Sequence, residues 1–399
     1  MTTQPVVKRL ALASRLENIP PYPFVARAER IRELKAGGHD VIRLDIGNPD
    51  LPPHPAVIEA LYNSAQNPAN HGYGGYAGKP ALRRAFADYY ARRFGVSLDP
   101  EREVLPLIGS KEGLINIGLA LLNPGDVVLV PDPAYLTYSR GALLAEAEPY
   151  RVPLVPERNF MPDLESIPPE VLARARLLWI NYPNNPTGAV ASKDELAGIV
   201  DFCREHDILL CSDNPYADVT FDGVRAHSVL EVPGAKEIAV EFNSLSKTYN
   251  MAGWRVGVCV GNAEMVNALL RIKSNVDSGL FLAIQDAACV ALNEVGKDWI
   301  AGRNAIYQRR RDILMEALPR LGLSATPPQA ALYVWARVDG GDDVAYSEEA
   351  LEEAHVSVTP GRIYGPAGRG YVRLSLVIGE TRMREAIRRL SEWYTQRGG

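Results

Sequence analysis

The sequence has little of what would point to nucleic acid, membranes or metals. Its 399 residues carry 43 Lys and Arg against 48 Asp and Glu, and the net charge of −5 lacks the basic excess typical of nucleic-acid or anionic-membrane binding. The six histidines and four cysteines show no metal-ligand spacing. No apolar run is long enough to span a bilayer, and the N-terminus lacks the apolar core of a signal peptide. We therefore expect a cytoplasmic protein without metal, membrane or nucleic-acid partners.

What is present is an alternation of strand-like and helical patterns in a chain of ordinary globular composition, 47% apolar and 23% charged. Helical patterns occur at 80–94, 111–122, 135–146 and 193–206. Short apolar runs typical of buried strands occur at 104–108, 127–130, 177–181, 208–212, 238–242 and 256–260. Such alternation predicts an α/β domain with a mostly parallel sheet covered by helices on both faces.

The pattern changes near residue 295, where a long charged helix begins and is followed by two strands and two further helices. This part predicts a smaller α+β domain. We expect three parts: residues 1–45 as a segment that packs with the small domain, residues 46–295 as the large domain, and residues 296–399 as the small C-terminal domain.

The most informative segment is NSLSKTYNMAGWRVG, residues 243–257, between two strand-like runs. It places Lys247 beside Ser244 and Ser246, with Arg255 eight positions later. Hydroxyls and a guanidinium suit a phosphate dianion, and a lysine beside a phosphate-bearing carbonyl compound suggests a Schiff base with pyridoxal phosphate (PLP). Alone, such a lysine is more often an ordinary surface residue, so the hypothesis depends on the rest of the chain.

Other candidates follow strand-like runs, where open α/β sheets bind their ligands. Ser110 and Lys111 begin a helix whose free N–H groups suit an anion, although Ser110 is also an ordinary helix cap. Asp213 precedes Tyr216 by three residues, so a carboxylate could pair with a pyridine nitrogen and a hydroxyl with a phenolic oxygen; a capping aspartate is the alternative. The run GYGGYAG, residues 72–78, follows no strand and is not a dinucleotide fingerprint.

Two further motifs could either bind a ligand or have an ordinary structural role. NYPNNPTG, residues 181–188, is a turn whose Asn185 amide could donate to a ligand oxygen. PDPAYLTY, residues 131–138, places Tyr135 where its ring could stack on a planar cofactor or simply pack in the core.

Together, the PNNPTG, DxxY and SxSK…R motifs resemble those of fold type I PLP-dependent class I/II aminotransferases, in the family's order and over nearly the whole chain. The resemblance implies the PLP-transferase fold and transfer of an amino group between an L-amino acid and a 2-oxo acid, with 2-oxoglutarate and glutamate as one pair. It also implies a homodimer with shared active sites. A PLP-dependent C–S β-lyase is the more distant alternative.

The resemblance also implies roles for matching positions. Lys247, Asp213 and Tyr216 would be catalytic. The implied cofactor-binding residues are Ser110, Lys111, Tyr135, Asn185, Asp213, Tyr216, Ser244, Ser246, Lys247 and Arg255, with Tyr73 reaching the phosphate of the neighbouring protomer. The implied substrate-binding residues are Gly47, Lys111, Asn185 and Arg373, with Arg373 clamping the α-carboxylate. Tyr22, Asn250 and Asn275 are further pocket candidates.

The substrate is left open among several amino acids. IGSKEG, INYPNNPTGAV, EFNSLSKTYNMAGWR and RIKSNVDSG are most similar to the branch of the family that acts on LL-diaminopimelate, in lysine biosynthesis. One departure is that the loop at 73–78 carries no acid, where that branch tends to have a glutamate for the distal ammonium. Either another acid makes that contact or the substrate lacks a distal amine, which keeps aspartate, alanine and aromatic aminotransferases as alternatives. We also hypothesise that Lys111 binds the distal carboxylate of glutamate or 2-oxoglutarate.

Overall fold

A computed structural model describes residues 12–398, and the strands of this part of the chain form three β-sheets. The strands are β1 Ile42–Arg43, β2 Val104–Ile108, β3 Val127–Asp132, β4 Glu148–Val155, β5 Met161–Pro162, β6 Ala175–Ile180, β7 Leu209–Asp213, β8 Ala239–Ser244, β9 Val256–Gly261, β10 Leu323–Ser324, β11 Tyr333–Val338, β12 Val356–Ser357, β13 Thr359–Pro360 and β14 Tyr371–Ser375.

The α-helices flank these sheets. They are α1 Pro23–Ala36, α2 Pro55–Ala65, α3 Pro80–Phe94, α4 Ser110–Leu121, α5 Thr137–Leu144, α6 Pro169–Leu172, α7 Lys193–Glu205, α8 Leu245–Thr248, α9 Ala263–Val276, α10 Leu282–Glu294, α11 Lys297–Ala317, α12 Asp343–Glu352 and α13 Glu380–Gln396. No helix within residues 12–398 combines the length and the apolar character needed to cross a membrane.

The large sheet has the strand order β2-β9-β8-β7-β6-β3-β4-β5. Strands β8, β7, β6, β3 and β4 pair in parallel, whereas β9 runs antiparallel to both β2 and β8. Because successive side chains of a strand point to opposite faces, Val128 and Leu129 of β3 pack into two different apolar cores, one on each side of the sheet. The predicted mostly parallel sheet between helices is confirmed.

A second core lies around the antiparallel sheet β10-β11-β14-β13. It contains Val334 of β11 and Leu390 of α13, and it also takes in Leu44 from the N-terminal part of the chain. Strand β1 pairs in parallel with β12, with Ile42 opposite Val356. The division at residues 45 and 295 stays a prediction, and this packing of residues 42–44 against the C-terminal core supports it.

The sequence patterns did not predict α2, α9, α10 or β4. Strand β4 contains Pro149 and Pro153, which are unusual inside a strand, yet it pairs with both β3 and the short β5. Helix α10 has no side-chain cap at its start and buries four alanines, so it lacks both a start signal and a clear apolar stripe. Its position is determined by packing against α2 and α3, which no local pattern reveals.

Candidate active site

A cavity of about 530 Å³ opens at the carboxyl ends of β6, β7 and β8, and residues from the small C-terminal sheet complete its wall. It brings together nearly all the sequence-predicted site residues: Gly47, Ser110, Lys111, Tyr135, Asn185, Asp213, Tyr216, Ser244, Ser246, Lys247, Arg255 and Arg373. Tyr73 is not part of this wall and is 91% exposed. The placement follows from topology, because the carboxyl ends of parallel strands meet at one edge of the sheet.

Lys247 lies on the short helix α8, directly after β8. The hydroxyl of Ser244 caps this helix by accepting a hydrogen bond of 3.2 Å from the main-chain N–H of Ser246. Lys247 lines the cavity, and its amine donates a hydrogen bond to the main-chain oxygen of Gly47, which also lines it. Burial lowers the pKa of this amine, and the positive charges of Arg373 and Arg255 lower it further against the opposing effect of Tyr333. Such an amine is suited to accept and return a proton.

Asp213 is the last residue of β7, rather than the first after the strand as the sequence pattern indicated. It is 4% exposed, and its Oδ2 accepts a hydrogen bond of 2.7 Å from the hydroxyl of Tyr138. Its Oδ1 is buried and has no hydrogen-bond partner among the described residues. Burial raises the pKa of Asp213 to about 7, although the Tyr138 hydrogen bond opposes this, and nearby Glu241 adds to the increase. This unpaired oxygen can therefore accept a hydrogen bond from a bound ligand or pair with a cation.

The pKa of Asp213 predicts how the stability of the cofactor-free protein depends on pH. Its folded pKa of about 7 lies above the ordinary value of 3.8 for an aspartate, so the folded state holds the proton more tightly than the unfolded chain does. This contribution to stability is complete below about pH 4 and is lost as the pH rises to about 7, a change on the order of 4 kcal/mol. Urea denaturation of the apoenzyme at about pH 5 and about pH 8 measures the part of this change that lies above pH 5, on the order of 3 kcal/mol. We expect a shallower pH dependence in Asp213→Asn, and an equal slope would contradict the assignment.

A second part of the cavity is built for an anion. Helix α4 begins at Ser110, and Gly109 before it has a positive φ of 72°. A Cβ atom on Gly109 would lie 2.1 Å from Nη2 of Arg255, so the glycine allows the guanidinium to lie against the helix N-terminus. The Ser246 side chain lines the same cavity. Helix N–H groups, hydroxyls and a guanidinium together suit a phosphate.

Arg373 of β14 forms the opposite wall and is 5% exposed. Its Nη1 donates a hydrogen bond of 2.9 Å to Oδ1 of Asn185, and its Nη2 donates one of 2.9 Å to the main-chain oxygen of Asp45. Asn185 is itself fixed, because its main-chain N–H donates to Oδ1 of Asn181 at 2.8 Å. The Arg373 Nε is buried without a partner among the described residues. A guanidinium held this rigidly is suited to a carboxylate.

The sequence analysis assigned no role to several side chains that line the cavity: Arg43, Asp45, Tyr138, Tyr333 and Tyr364. The sequence signal for Tyr138 is its place in the same PDPAYLTY motif as Tyr135, and in the structure its hydroxyl donates to Asp213. None existed for Tyr333 and Tyr364, because they come from the C-terminal part of the chain and reach the cavity only through tertiary packing.

The further pocket candidates separate into two groups. Tyr22 lines the cavity, and the Lys111 amine lies 4.6 Å from the centre of its ring and 6.0 Å from that of Tyr135. Asn250 and Asn275 do not line it, since their amides donate to the main-chain oxygens of Pro52 and Arg271. Within residues 12–398 no group of three or more His, Cys, Asp or Glu side chains is placed to hold a metal ion.

Comparison with known proteins places nearly the whole chain in one enzyme family. The family model of aminotransferase class I and II matches residues 39–390. The LL-diaminopimelate aminotransferase of Dehalococcoides mccartyi is 49% identical over 388 residues, which covers 97% of this chain and 100% of that protein. That of Desulforudis audaxviator is 51% identical over 379 residues, covering 95% and 96%.

Solved aminotransferase structures share the fold of this chain over nearly its full length. Substrate-bound BacF from Bacillus subtilis superposes with a TM-score of 0.92 at 37% identity, covering 96% of this chain and 98% of that one. The aspartate aminotransferase of Thermus thermophilus with maleate has a TM-score of 0.89 at 34% identity, covering 96% and 100%. The expected PLP-transferase fold type I is thereby confirmed, and so is transfer of an amino group between an amino acid and a 2-oxo acid. The chain therefore belongs to the class I and II aminotransferases and uses pyridoxal phosphate as its cofactor.

Proposed function

We propose that the enzyme transfers an amino group from LL-diaminopimelate to 2-oxoglutarate. The observation that carries this substrate assignment is the identity of 49% and 51%, over nearly the full chain, to two aminotransferases named for that substrate. The cavity offers cations for the two carboxylates of LL-diaminopimelate, whereas the loop at 73–78 carries no acid for its distal ammonium. Arg373 suits the first carboxylate, and the Lys111 amine is a second cation in the same cavity wall.

The residues present fit the cofactor. The unpaired Oδ1 of Asp213 provides an acceptor for a protonated ring nitrogen, and its hydrogen bond from Tyr138 fixes the carboxylate in place. The N-terminus of α4, Ser246 and Arg255 provide for the phosphate. When bound, PLP supplies an electron sink that stabilises the negative charge left on the substrate Cα after its proton departs.

The remaining steps belong to side chains of this chain. Arg373 and Asn185 hold the substrate α-carboxylate, with the main chain at Gly47 beside them, and so determine which Cα bond is activated. The Lys247 amine, with its lowered pKa, takes the Cα proton and later returns a proton on the same side. Tyr216 and Asn185 line the cavity where they would donate to the phenolic oxygen of bound PLP, and Tyr135 would stack on its ring. Ser244 caps the helix that presents the lysine.

We further propose a homodimer in the cytoplasm. Tyr73 is 91% exposed in the single chain. The preceding helix α2 also has exposed apolar side chains, among them Ile58 and Tyr62. An exposed tyrosine on a glycine-rich loop can complete a phosphate site in a second protomer. Analytical ultracentrifugation of the holoenzyme tests this, and a monomer at assay concentration would contradict it.

A conservative change at Arg373 tests the carboxylate clamp. We expect Arg373→Lys to lower kcat/KM for the amino acid by about 10–100-fold, chiefly through KM, because lysine keeps the charge but loses the paired N–H donors. Steady-state kinetics at a fixed 2-oxo acid concentration measures the change. Arg337→Lys on the exposed strand surface is the control, and equal effects of the two substitutions would exclude the clamp.

Product analysis tests the substrate. The holoenzyme incubated with LL-diaminopimelate and 2-oxoglutarate should form glutamate in a one-to-one ratio with the amino acid consumed. Aspartate, alanine and phenylalanine serve as alternative donors in parallel reactions. If glutamate forms from aspartate, alanine or phenylalanine but not from LL-diaminopimelate, the proposed substrate is wrong, while membership of the aminotransferase family is unaffected. Release of homocysteine, pyruvate and ammonia from cystathionine without glutamate would instead indicate a β-lyase.

A further inference from the structure

Tyr333 occupies the junction between the proposed substrate and cofactor sides of the cavity. It is 2% exposed and begins β11, which pairs with the strand that carries Arg373. The guanidinium carbon of Arg373 lies 3.9 Å from the centre of the Tyr333 ring. The Tyr333 hydroxyl oxygen lies 3.0 Å from that of Tyr216, within hydrogen-bond distance. One side chain therefore contacts both the carboxylate clamp and the proposed partner of the cofactor oxygen.

Close packing fixes the Tyr333 side chain in this position. A Cβ atom on Gly47 would lie 1.9 Å from the Tyr333 hydroxyl oxygen, so the main chain at Gly47 closes directly over that hydroxyl. The main-chain oxygen of Gly47 also accepts the hydrogen bond from Lys247. The Tyr333 hydroxyl thus has a fixed place among Gly47, Tyr216 and the catalytic lysine.

The charges around the tyrosine pair favour one direction of the hydrogen bond. Burial alone would raise the pKa of Tyr333, but the positive charges of Arg373 and Lys247 more than offset this and lower it. Burial raises the pKa of Tyr216 well above its usual value. The more acidic hydroxyl is the better donor, so Tyr333 donates to Tyr216 and leaves the Tyr216 proton free for a cofactor oxygen.

We infer that Tyr333 is a positioning residue that acts on both sides of the site: its ring holds the Arg373 guanidinium, and its hydroxyl orients the Tyr216 hydroxyl toward the cofactor. The inference rests on the roles proposed above for Arg373 and Tyr216. Ring and hydroxyl make separate contacts, so two substitutions separate the two effects. Tyr333→Phe removes the hydroxyl and keeps the ring, whereas Tyr333→Leu removes both.

The first readout is the pH titration of the visible absorption of the bound cofactor, measured without substrate. A hydrogen bond that stabilises an anionic phenolic oxygen lowers the pH of the midpoint. Tyr333→Phe weakens that bond, and we expect the midpoint to rise by up to about one pH unit. The matched control is Tyr364→Phe: its ring also lies near Arg373, at 5.0 Å, but its hydroxyl has no partner among the described residues. We expect no shift in this control.

The second readout separates KM from kcat. Tyr333→Phe should leave the KM for the amino acid within about twofold, while Tyr333→Leu should raise it about tenfold because the cation–π contact is lost. An unchanged midpoint in Tyr333→Phe, or equal shifts in Tyr333→Phe and Tyr364→Phe, would overturn the role of the hydroxyl. An unchanged KM in Tyr333→Leu would overturn the role of the ring. Absence of a visible band in the unmodified protein would instead contradict the cofactor assignment, so the two failures are distinguishable.

Discussion

Replacing Lys247 with alanine is expected to lower kcat by at least about 10²–10⁴-fold, the typical contribution of a positioned acid–base group. The reason is its place in the cavity: the amine lies directly after β8, hydrogen-bonds to the main chain at Gly47 and has a lowered pKa. Within the described residues, the other lysine lining the cavity is Lys111, whose amine lies against the Tyr22 ring. Single-turnover kinetics with saturating PLP measures the loss.

Two controls separate the proton-transfer role of Lys247 from a structural one. Lys111→Ala removes a cavity amine of the same type, and we expect it to affect 2-oxoglutarate affinity far more than the rate of proton removal. Added methylamine should restore part of the activity of Lys247→Ala, because a small free amine can occupy the space left by the side chain. Undiminished turnover in Lys247→Ala would contradict the assignment. So would loss of proton removal in Lys111→Ala but not in Lys247→Ala.

Asp213→Asn is expected to lower kcat/KM by about 10²–10³-fold, the usual effect of removing one preorganised electrostatic group from an active site. The substitution preserves the volume of the side chain and an acceptor for Tyr138, but removes the negative charge. Without that charge, nothing at the end of β7 holds a positive ring nitrogen, and the cofactor is a weaker electron sink. The affinity for PLP should fall in parallel, as equilibrium dialysis would show.

Tyr138→Phe is the matched control for the Asp213 experiment. It removes the hydroxyl that donates to Asp213 at 2.7 Å and leaves the carboxylate in place. One hydrogen bond is a smaller loss than a charge, so we expect about a tenfold decrease in kcat/KM. If Asp213→Asn is no worse than Tyr138→Phe, the carboxylate serves only to bind the tyrosine.

Local signals predicted some helices well. Helix α3 runs from Pro80 to Phe94 as expected, because proline suits the first turn and Gly95 takes the left-handed conformation, φ 72°, that ends the helix. Helix α10 has neither signal. It buries an alanine-rich face, and its position is determined by packing against α2 and α3. Sequence patterns therefore predict elements with strong ends, whereas elements fixed by tertiary packing escape them.

The candidate site divides in the same way. Lys247 and Asp213 lie at the ends of neighbouring parallel strands, so the predicted topology alone brings them to one edge. Tyr333 and Asp45 lie elsewhere in the chain, and they reach the cavity through the register of β11 on β14 and the course of the main chain beside Arg373. Such contacts between distant segments leave no trace in local spacing.

The absorption spectrum of the purified holoenzyme, recorded before and after addition of single amino acids without a 2-oxo acid, tests the account most directly. We expect a visible band from the cofactor held by Lys247. LL-diaminopimelate should bleach that band at one equivalent per site, and 2-oxoglutarate should then restore it. Bleaching by aspartate, alanine or an aromatic amino acid alone would contradict the proposed substrate. No visible band at saturating PLP would contradict the assignment of the site itself.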